Sequence, residues 1–262
     1  MISKKLITLL TDFGYSDVYV GVMKGVIANI NSSLKIIDLT HNIPPQNIAA
    51  ARFNLMNAYS YFPQDTVHLA VVDPGVGTQR RAIAIRTATN FLVGPDNGLF
   101  SGVLAQNPPI AAVELTNSQY WRISQPSNTF HGRDIFAPVA AYLADGVNLE
   151  ELGEAIATET LVKLNIPECI KTENYIQGTI QYIDHFGNLI TNIPETLIKN
   201  TQWAVIFPNF TLPGTTNYSN VPVGNPLALI GSHGWVEISI NGGNAQNKLN
   251  LNVGNTVEVL LM

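Results

Sequence analysis

An aspartate and an arginine that could activate a water molecule flank a glycine-rich turn in the first third of the chain. The apolar run His68–Val72 ends at Asp73, and Arg80 follows seven residues later, with Gly75 and Gly77 between them. A carboxylate can accept a proton, and a guanidinium can stabilise negative charge near a nucleophile. The glycines permit a tight turn with room for a water molecule and a ligand. These residues predict a hydrolytic site, although a turn-capping Asp beside surface arginines would explain them as well.

A second polar cluster runs from Thr129 to Asp134 and contains His131. The apolar spacing that follows predicts a helix beginning near Asp134, which would place the imidazole beside a helix N-terminus and lower its pKa. A neutral imidazole can act as a base together with an Asp and an Arg. We therefore take His131 as a catalytic candidate and expect Asp134 to cap its helix.

Three further polar residues, Asp12, His41 and Asp96, each stand just after a predicted strand. In an open α/β sheet the carboxyl ends of the strands line the ligand crevice, so these residues are expected to converge with Asp73. A metal centre built from Asp12, His41, Asp73 and His131 is an alternative, since His and Asp are common ligands. No HxH, HxxxH or HExxH spacing supports it, and we expect no metal.

The elements that would position these residues alternate between strand and helix. This order predicts an α/β domain over residues 1–165 with a mostly parallel sheet. The helix from Asp134 to Ala144 contains Pro138, which predicts a kink or a shortened first turn. The predicted strands cover 5–10, 35–39, 66–72, 82–86 and 90–93, and the earlier helices cover 18–30 and 48–61.

From residue 171 to residue 262 the pattern changes to short β-rich runs divided by Gly, Asn and Pro. This pattern predicts a second, all-β domain. We expect a small barrel, although the pattern does not separate a barrel from a sandwich. Two of its loops, Asp184–Asn188 and Gly231–Trp235, offer aromatic and amide side chains. Aromatic rings stack on purines and amides hydrogen-bond their edges, so a nucleoside is a sensible ligand.

Composition and missing motifs exclude several classes of protein. The net charge is −5, and 14 Lys and Arg without a basic run argue against nucleic-acid binding. The chain lacks GxGxxG, GxxxxGK[ST] and GxSxG motifs, so dinucleotide, P-loop and serine hydrolase chemistry is disfavoured and no cofactor is expected. Asp12 ends the first apolar run too early for a signal or membrane segment, and the single cysteine, Cys169, suits the cytoplasm. Only 13% of residues are charged, which favours self-association.

Six motifs together resemble one family, the S-adenosylmethionine hydroxide adenosyltransferases, which are related to the fluorinase and chlorinase that attack the same substrate with halide. The resemblance covers nearly the whole chain, and its motifs occur in the family's order. They are Thr11-Asp12-Phe13-Gly14, Asp38-Leu39-Thr40-His41, Val71 to Arg81, Gly94-Pro95-Asp96-Asn97-Gly98, Phe130-His131-Gly132-Arg133-Asp134 and Phe186-Gly187-Asn188-Leu189-Ile190-Thr191-Asn192.

The resemblance implies that water attacks the ribose C5′ of S-adenosyl-L-methionine to give adenosine and L-methionine. It also implies a homotrimer in which the N-terminal domain of one subunit and the C-terminal domain of its neighbour hold the substrate. A triad of Asp73, Arg80 and His131, absent from the halogenases, would favour water over halide. A halide adenosyltransferase and a nucleoside-binding protein without turnover remain alternatives.

The same resemblance implies the substrate contacts. Asp12 would bind the ribose hydroxyls, and Phe186 and Asn188 would contact adenine. Ser232 would lie at the methionine end, and Glu237 is a candidate for the ammonium group. The resemblance implies no role for His41.

Overall fold

The computed structural model describes residues 6–262. The chain divides into two compact units, and the division falls between Leu164 and Asn165. Lys5, where the first predicted strand begins, lies outside the described residues.

The first unit is built on a seven-stranded sheet with the order β2-β1-β3-β5-β4-β6-β7. Strands β2, β1, β3 and β5 pair in parallel, whereas β4 and β7 run opposite to the other strands of this sheet. The connection from β4 to β5 is short and contains no helix, so these two strands can only pair antiparallel. The strands are β1 (Leu6–Thr11), β2 (Lys35–Thr40), β3 (Val67–Val71), β4 (Ala82–Thr87), β5 (Phe91–Pro95), β6 (Pro109–Glu114) and β7 (Glu154–Ala155).

Four α-helices accompany this sheet. Helices α1 and α4 contact each other, and α4 packs on β1 and β3, while α2 contacts α3. Ile7 and Leu9, which alternate along β1, share one buried cluster with Met23 of α1 and Val139 of α4. The helices are α1 (Tyr19–Ile30), α2 (Ile48–Ala58), α3 (Ser101–Gln106) and α4 (Ala137–Asp145).

The segment before α4 differs from the predicted helix start at Asp134. Gly132–Phe136 forms a π-helical turn, and α4 begins only at Ala137. Pro138 lies in the first turn of α4, and the Asp134 carbonyl four residues before it accepts from Arg122 N instead of from a helical N–H. The proline therefore fits the shortened first turn of the prediction.

The second unit is a closed seven-stranded β-barrel. Its strands follow the order β10-β14-β13-β12-β11-β15-β9, and an additional β9–β10 pairing closes the ring, with β8 added outside on β9. Together with the first unit, this confirms the predicted α/β domain followed by an all-β barrel. The elements are β8 (Ile170–Lys171), β9 (Tyr175–Ile183), β10 (Leu189–Pro194), β11 (Trp203–Ile206), β12 (Thr211–Thr215), β13 (Pro226–Ile230), β14 (Trp235–Ile240), α5 (Ala245–Leu249) and β15 (Thr256–Leu261).

Alternation along the barrel strands places apolar side chains inside. Ile176 and Ile180 of β9 and Val257 and Val259 of β15 are buried in one cluster. Within residues 6–262, no helix is long and apolar enough to cross a bilayer.

Candidate active site

A cavity of about 580 Å³ opens where the parallel strands of the first unit end. Its volume lies in the range of small-molecule sites. Asp12 follows β1 and Asp73 follows β3, and both line it, as the strand-end argument predicts; His41 and Asp96 do not. The lining residues are Asp12, Phe13, Tyr19, Pro45, Gln46, Val71, Asp73, Pro74, Val76, Ser127, Thr129, Phe130, His131, Gly132 and Arg133.

Asp73 and Arg80 form a bidentate ion pair at one wall of this cavity. Arg80 Nε lies 2.9 Å from Asp73 Oδ1 and 3.0 Å from Oδ2, and Nη2 also donates to Oδ2. The side chains are only 10% and 6% exposed, so the pair is shielded from bulk water. Such a bidentate geometry fixes the orientation of both groups.

His131 joins the same pair through its Nδ1 atom, which lies 2.8 Å from Arg80 Nη2. Because a guanidinium can only donate, Nδ1 must accept and the neutral ring carries its proton on Nε2. Burial lowers the pKa of His131, and the Arg80 charge lowers it further against the opposing charges of Asp73 and Asp134. The predicted lowering is present, but its causes are burial and Arg80 rather than a helix end.

Arg81 points away from this group although it is adjacent to Arg80. Its Nε and Nη2 donate to Asp96 Oδ2 at 2.9 and 2.5 Å, and its guanidinium also contacts Thr160. Asp96 Oδ1 in turn accepts from Val162 N. Arg81 and Asp96 therefore tie the segment near residue 160 to the sheet edge.

Asp134 does not cap a helix. It is fully buried, and its carboxylate accepts from Arg122 Nε at 2.5 Å, from Ser127 N at 2.9 Å and from Arg133 Nε and Nη2, both at 2.7 Å. Burial alone would raise the pKa of Asp134, but these donors hold it well below its ordinary value. Asp134 thus fixes the loop before His131. The cap prediction was wrong because the helical turn already begins at Gly132 and the Asp134 carboxylate is occupied by Arg122, Ser127 N and Arg133.

The two glycines between Asp73 and Arg80 make room for protein atoms. Gly77 has φ +77°, and a Cβ there would overlap the backbone carbonyl of Asn128. A Cβ on Gly75 would lie 3.2 Å from Arg80 Cγ. The glycines therefore let the loop approach Asn128 and the Arg80 stem. The sequence had predicted that this room would hold a water molecule and a ligand.

Asp12 is held by the loop that precedes α2. Its Oδ2 accepts from Gln46 N at 2.7 Å, and Gln46 has the unusual φ of 63° for a residue other than glycine. A carboxylate has further acceptor positions, so Asp12 can still accept from a diol.

Three aromatic rings, from Phe13, Tyr19 and Phe130, line the cavity and contact one another with centroids 5.2 to 5.9 Å apart. The Arg133 guanidinium lies 5.2 Å from the centre of the Phe130 ring. Sequence reasoning assigned these residues no role, although Phe13 and Phe130 belong to motifs that carried the resemblance. The sequence offered one signal for Phe13 and Phe130, which is that each is adjacent to a predicted site residue, Asp12 or His131.

In the second unit, Asp184 orders the turn that holds Phe186 and Asn188. Asp184 Oδ1 accepts from both backbone N–H groups at 2.9 Å, and Oδ2 accepts from Asn188 Nδ2 at 2.9 Å. The Phe186 ring is 72% exposed, whereas Asn188 is buried. An exposed ring beside a fixed amide suits a planar ligand.

Glu237 is buried among three side-chain donors of the second unit. Its Oε1 accepts from Tyr218 Oη at 2.7 Å and Ser239 Oγ at 2.6 Å, and its Oε2 lies 3.2 Å from His233 Nε2. Burial opposes ionisation, but these donors lower the pKa of Glu237 overall. Ser232 lies exposed in the adjoining Gly231–Trp235 turn.

Among residues 6–262, no group of three or more His, Cys, Asp or Glu side chains has the arrangement of a metal site.

Comparison with known proteins covers both units. The model of the SAM hydroxide adenosyltransferase N-terminal domain matches residues 7–153, and that of the C-terminal domain matches residues 178–258. An (R)-S-adenosyl-L-methionine hydrolase from Salinispora tropica is 39% identical, with 97% of each chain covered. A fluorinase from an Actinoplanes species is 26% identical, again with 97% of each chain covered. The crystal structure of an uncharacterised conserved protein from Thermotoga maritima superposes with a TM-score of 0.90 at 36% identity, covering 97% of this chain and 99% of that one.

Proposed function

The chain belongs to the SAM hydroxide adenosyltransferase family, and we propose that it hydrolyses S-adenosyl-L-methionine to adenosine and L-methionine. The contact of Arg80 with both Asp73 and His131 at the cavity wall is the observation that carries this proposal.

The reaction is an in-line displacement at the ribose C5′. A water oxygen forms a bond to C5′ while the bond from C5′ to sulfur breaks, and its electron pair returns to sulfur to give the neutral thioether of methionine. The proton of the attacking water passes to a carboxylate of the site and from there to solvent. Because the sulfonium is already a good leaving group, the protein has to orient and desolvate the water rather than supply an acid.

Asp73 is the group best placed to accept the water proton. A carboxylate offers about four acceptor positions, and Arg80 uses three of them, which leaves one on Oδ1. The neutral His131 offers its Nε2–H as a donor to the nucleophile oxygen, and the Arg80 charge favours a hydroxide-like nucleophile. In this assignment Asp73 is the base, Arg80 the electrostatic anchor and His131 the orienting donor.

Asp12 is proposed to accept hydrogen bonds from the ribose hydroxyls, since it lines the same cavity as Asp73. Phe186 and Asn188 are proposed to contact adenine, with Ser232 near the methionine carboxylate and Glu237 near its ammonium group. The donors around Glu237 also support a role in ordering His233.

A homotrimer is proposed to bring these barrel residues, from a neighbouring subunit, to the cavity. Exposed apolar side chains beside the cavity support such an interface, with Tyr15 61% and Val18 72% exposed. Light scattering that gives the mass of a single chain would contradict it. The reaction is proposed to need no cofactor and to occur in the cytoplasm, where S-adenosylmethionine would be its only small-molecule partner.

Chromatography of the products tests the proposed reaction. Purified protein with S-adenosylmethionine should give adenosine and methionine in equal amounts. Unreacted substrate after prolonged incubation would indicate a nucleoside-binding protein, and 5′-chloro-5′-deoxyadenosine in chloride buffer would indicate a halide adenosyltransferase.

Substitution tests the assignment of the triad. Asp73→Asn and His131→Ala should each lower kcat at least about 100-fold and change the affinity for adenosine far less. Glu173→Gln, at an exposed position of the second unit, is the control. Unchanged turnover in Asp73→Asn would remove Asp73 from the mechanism.

A further inference from the structure

His41 is a fully buried histidine next to the proposed active site that the mechanism above does not use. It follows the end of β2, and its Nδ1 lies 2.8 Å from Thr11 Oγ1 on the neighbouring strand. Its Nε2 lies 3.2 Å from Asp38 Oδ1, and Asp38 Oδ2 accepts from Lys24 Nζ at 2.6 Å. A continuous row of polar groups therefore connects Lys24 to Thr11.

The donors and acceptors in this row assign the tautomer of His41. The carboxylate of Asp38 can only accept, so the ring proton faces it from Nε2, 3.2 Å from Asp38 Oδ1. In a neutral ring Nδ1 is then an acceptor, and the Thr11 hydroxyl donates to it. Burial lowers the pKa of His41 against the opposing effect of Asp38, in agreement with a neutral ring.

His41 is tied to both sides of the short segment that places Asp12 and Phe13 in the cavity. On one side its imidazole holds Thr11, and on the other its backbone carbonyl accepts from Gly14 N at 2.8 Å. Asp12 and Phe13, between these two attachments, line the cavity, whereas His41 does not. The Tyr15 ring packs edge-on against the imidazole, with centroids 5.0 Å apart.

We propose that His41 is a positioning residue, which through Thr11 holds Asp12 and Phe13 in the geometry that receives the ribose of the substrate. The inference rests on the proposed function, because it assigns His41 to the ribose end of the same site. If the hydrogen bond between Thr11 and His41 is removed, a smaller fraction of the protein should hold Asp12 and Phe13 in the conformation that binds the ribose. The apparent affinity falls by that fraction while the chemical step in the bound state is preserved.

Thr11→Val breaks the link while leaving the size of the side chain and His41 itself intact. The chain contains a matched control. Thr8 lies on the same strand as Thr11, and its Oγ1 lies 2.7 Å from Nδ1 of the buried His68 on β3. Neither member of that pair lines the cavity. Thr8→Val therefore removes a buried Thr–His hydrogen bond without touching the Asp12 segment, whereas Thr11→Val also removes the acceptor of Phe13 N.

We expect Thr11→Val to raise KM and the calorimetric Kd for adenosine about five- to tenfold, because it removes the hydrogen bond to His41 and the acceptor of Phe13 N. We expect its kcat to change less than about threefold, and Thr8→Val to keep all three constants within about twofold of wild type. Melting temperatures should fall similarly in both variants. If Thr11→Val and Thr8→Val have the same KM and the same Kd for adenosine, the inference is wrong.

A second pair of variants tests the imidazole itself. His41→Asn retains an acceptor near the position of Nδ1, whereas His41→Ala does not. Adenosine should bind more tightly to His41→Asn than to His41→Ala; equal affinities would contradict the role of Nδ1. If His41→Ala does not fold, the Thr11→Val comparison decides.

Failure of the proposed function can be distinguished from failure of the role proposed for His41. A wild-type protein that binds adenosine without producing it would refute the hydrolase. Wild-type turnover with no effect of Thr11→Val would refute only the role of His41.

Discussion

Arg80 and Arg81 are neighbours in sequence, yet their guanidinium groups bind different carboxylates. Arg80 pairs with Asp73 and contacts His131 at the cavity, while Arg81 pairs with Asp96. One arginine thus belongs to the proposed catalytic group, and the other fastens the segment around Thr160.

Replacing each arginine by lysine should therefore separate activity from stability. A lysine keeps the charge but cannot make the bidentate contact, nor reach a carboxylate and an imidazole in the same fixed geometry. Arg80→Lys should lower kcat about 100-fold, with little change in the melting temperature. Arg81→Lys should keep kcat within about threefold and lower the free energy of unfolding by about 1–3 kcal/mol. Steady-state kinetics and urea unfolding check both, and a larger kcat loss in Arg81→Lys would reverse the assignment.

The pKa of His131 should rise when the Arg80 charge is removed, because burial and that charge both lower it. Proton NMR titration of wild type and Arg80→Met measures the change, with His131→Ala assigning the resonance. His68 is the internal control, since burial alone lowers its pKa to about 4 and it should titrate unchanged. An unchanged His131 pKa would show that burial is the sole cause.

Turnover should depend on pH through the same group. His131 must be neutral to accept from Arg80, and its folded pKa lies below the ordinary 6.5. The neutral form therefore predominates above pH 6.5, and kcat should be lost as the pH falls through the lowered value. A pH profile of kcat that rises on acidification below 6.5 would contradict this role.

Asp134→Asn should destabilise the first unit strongly. It would leave Arg122 and Arg133 without their shared buried carboxylate, and breaking a buried pair costs about 3–5 kcal/mol. Urea unfolding measures the loss, and Glu173→Gln should stay within about 0.5 kcal/mol of wild type. A loss below about 1 kcal/mol would mean that the loop before His131 is held by other contacts.

Gly77→Ala should affect both stability and turnover. A methyl group there meets the Asn128 carbonyl, whereas Gly224, also at positive φ (+85°), has open space around its Cβ position. Gly224→Ala isolates the backbone cost of about 1 kcal/mol. Gly77→Ala should cost more and lower kcat by shifting the loop that holds Asp73. Equal stability losses in the two variants would show that the Asn128 contact can relax.

Local spacing predicted the approach of Asp73 and Arg80, because a short glycine turn leaves two side chains seven residues apart few other places to lie. The topology, in which the ends of β1 and β3 lie side by side, accounts for Asp12 and Asp73 lining one cavity. The assignment of His131 to the same group came from the family resemblance.

The contact of Arg81 with Thr160 was not predictable, because the two residues lie far apart in sequence. The partners of Asp134 lie nearer in sequence, but the π-helical turn that directs its carboxylate toward them has no signal in the apolar spacing. The sequence analysis did not predict that β4 runs antiparallel to β5. Apolar runs indicate where strands lie, whereas the length of the connection between two strands decides their relative direction.

The loop 72–81 leaves β3 and enters β4 at one edge of the sheet, since β4 runs antiparallel to β5 and begins beside the end of that strand. Its two ends are therefore fixed by the sheet, and its interior is held where Gly77 lies against the Asn128 carbonyl. Asp73 and Arg80 lie near opposite ends of this loop and bind each other, so one short segment carries both the turn and the ion pair at the cavity wall. The sheet thus sets where the charged pair stands, and the loop itself supplies both of its members.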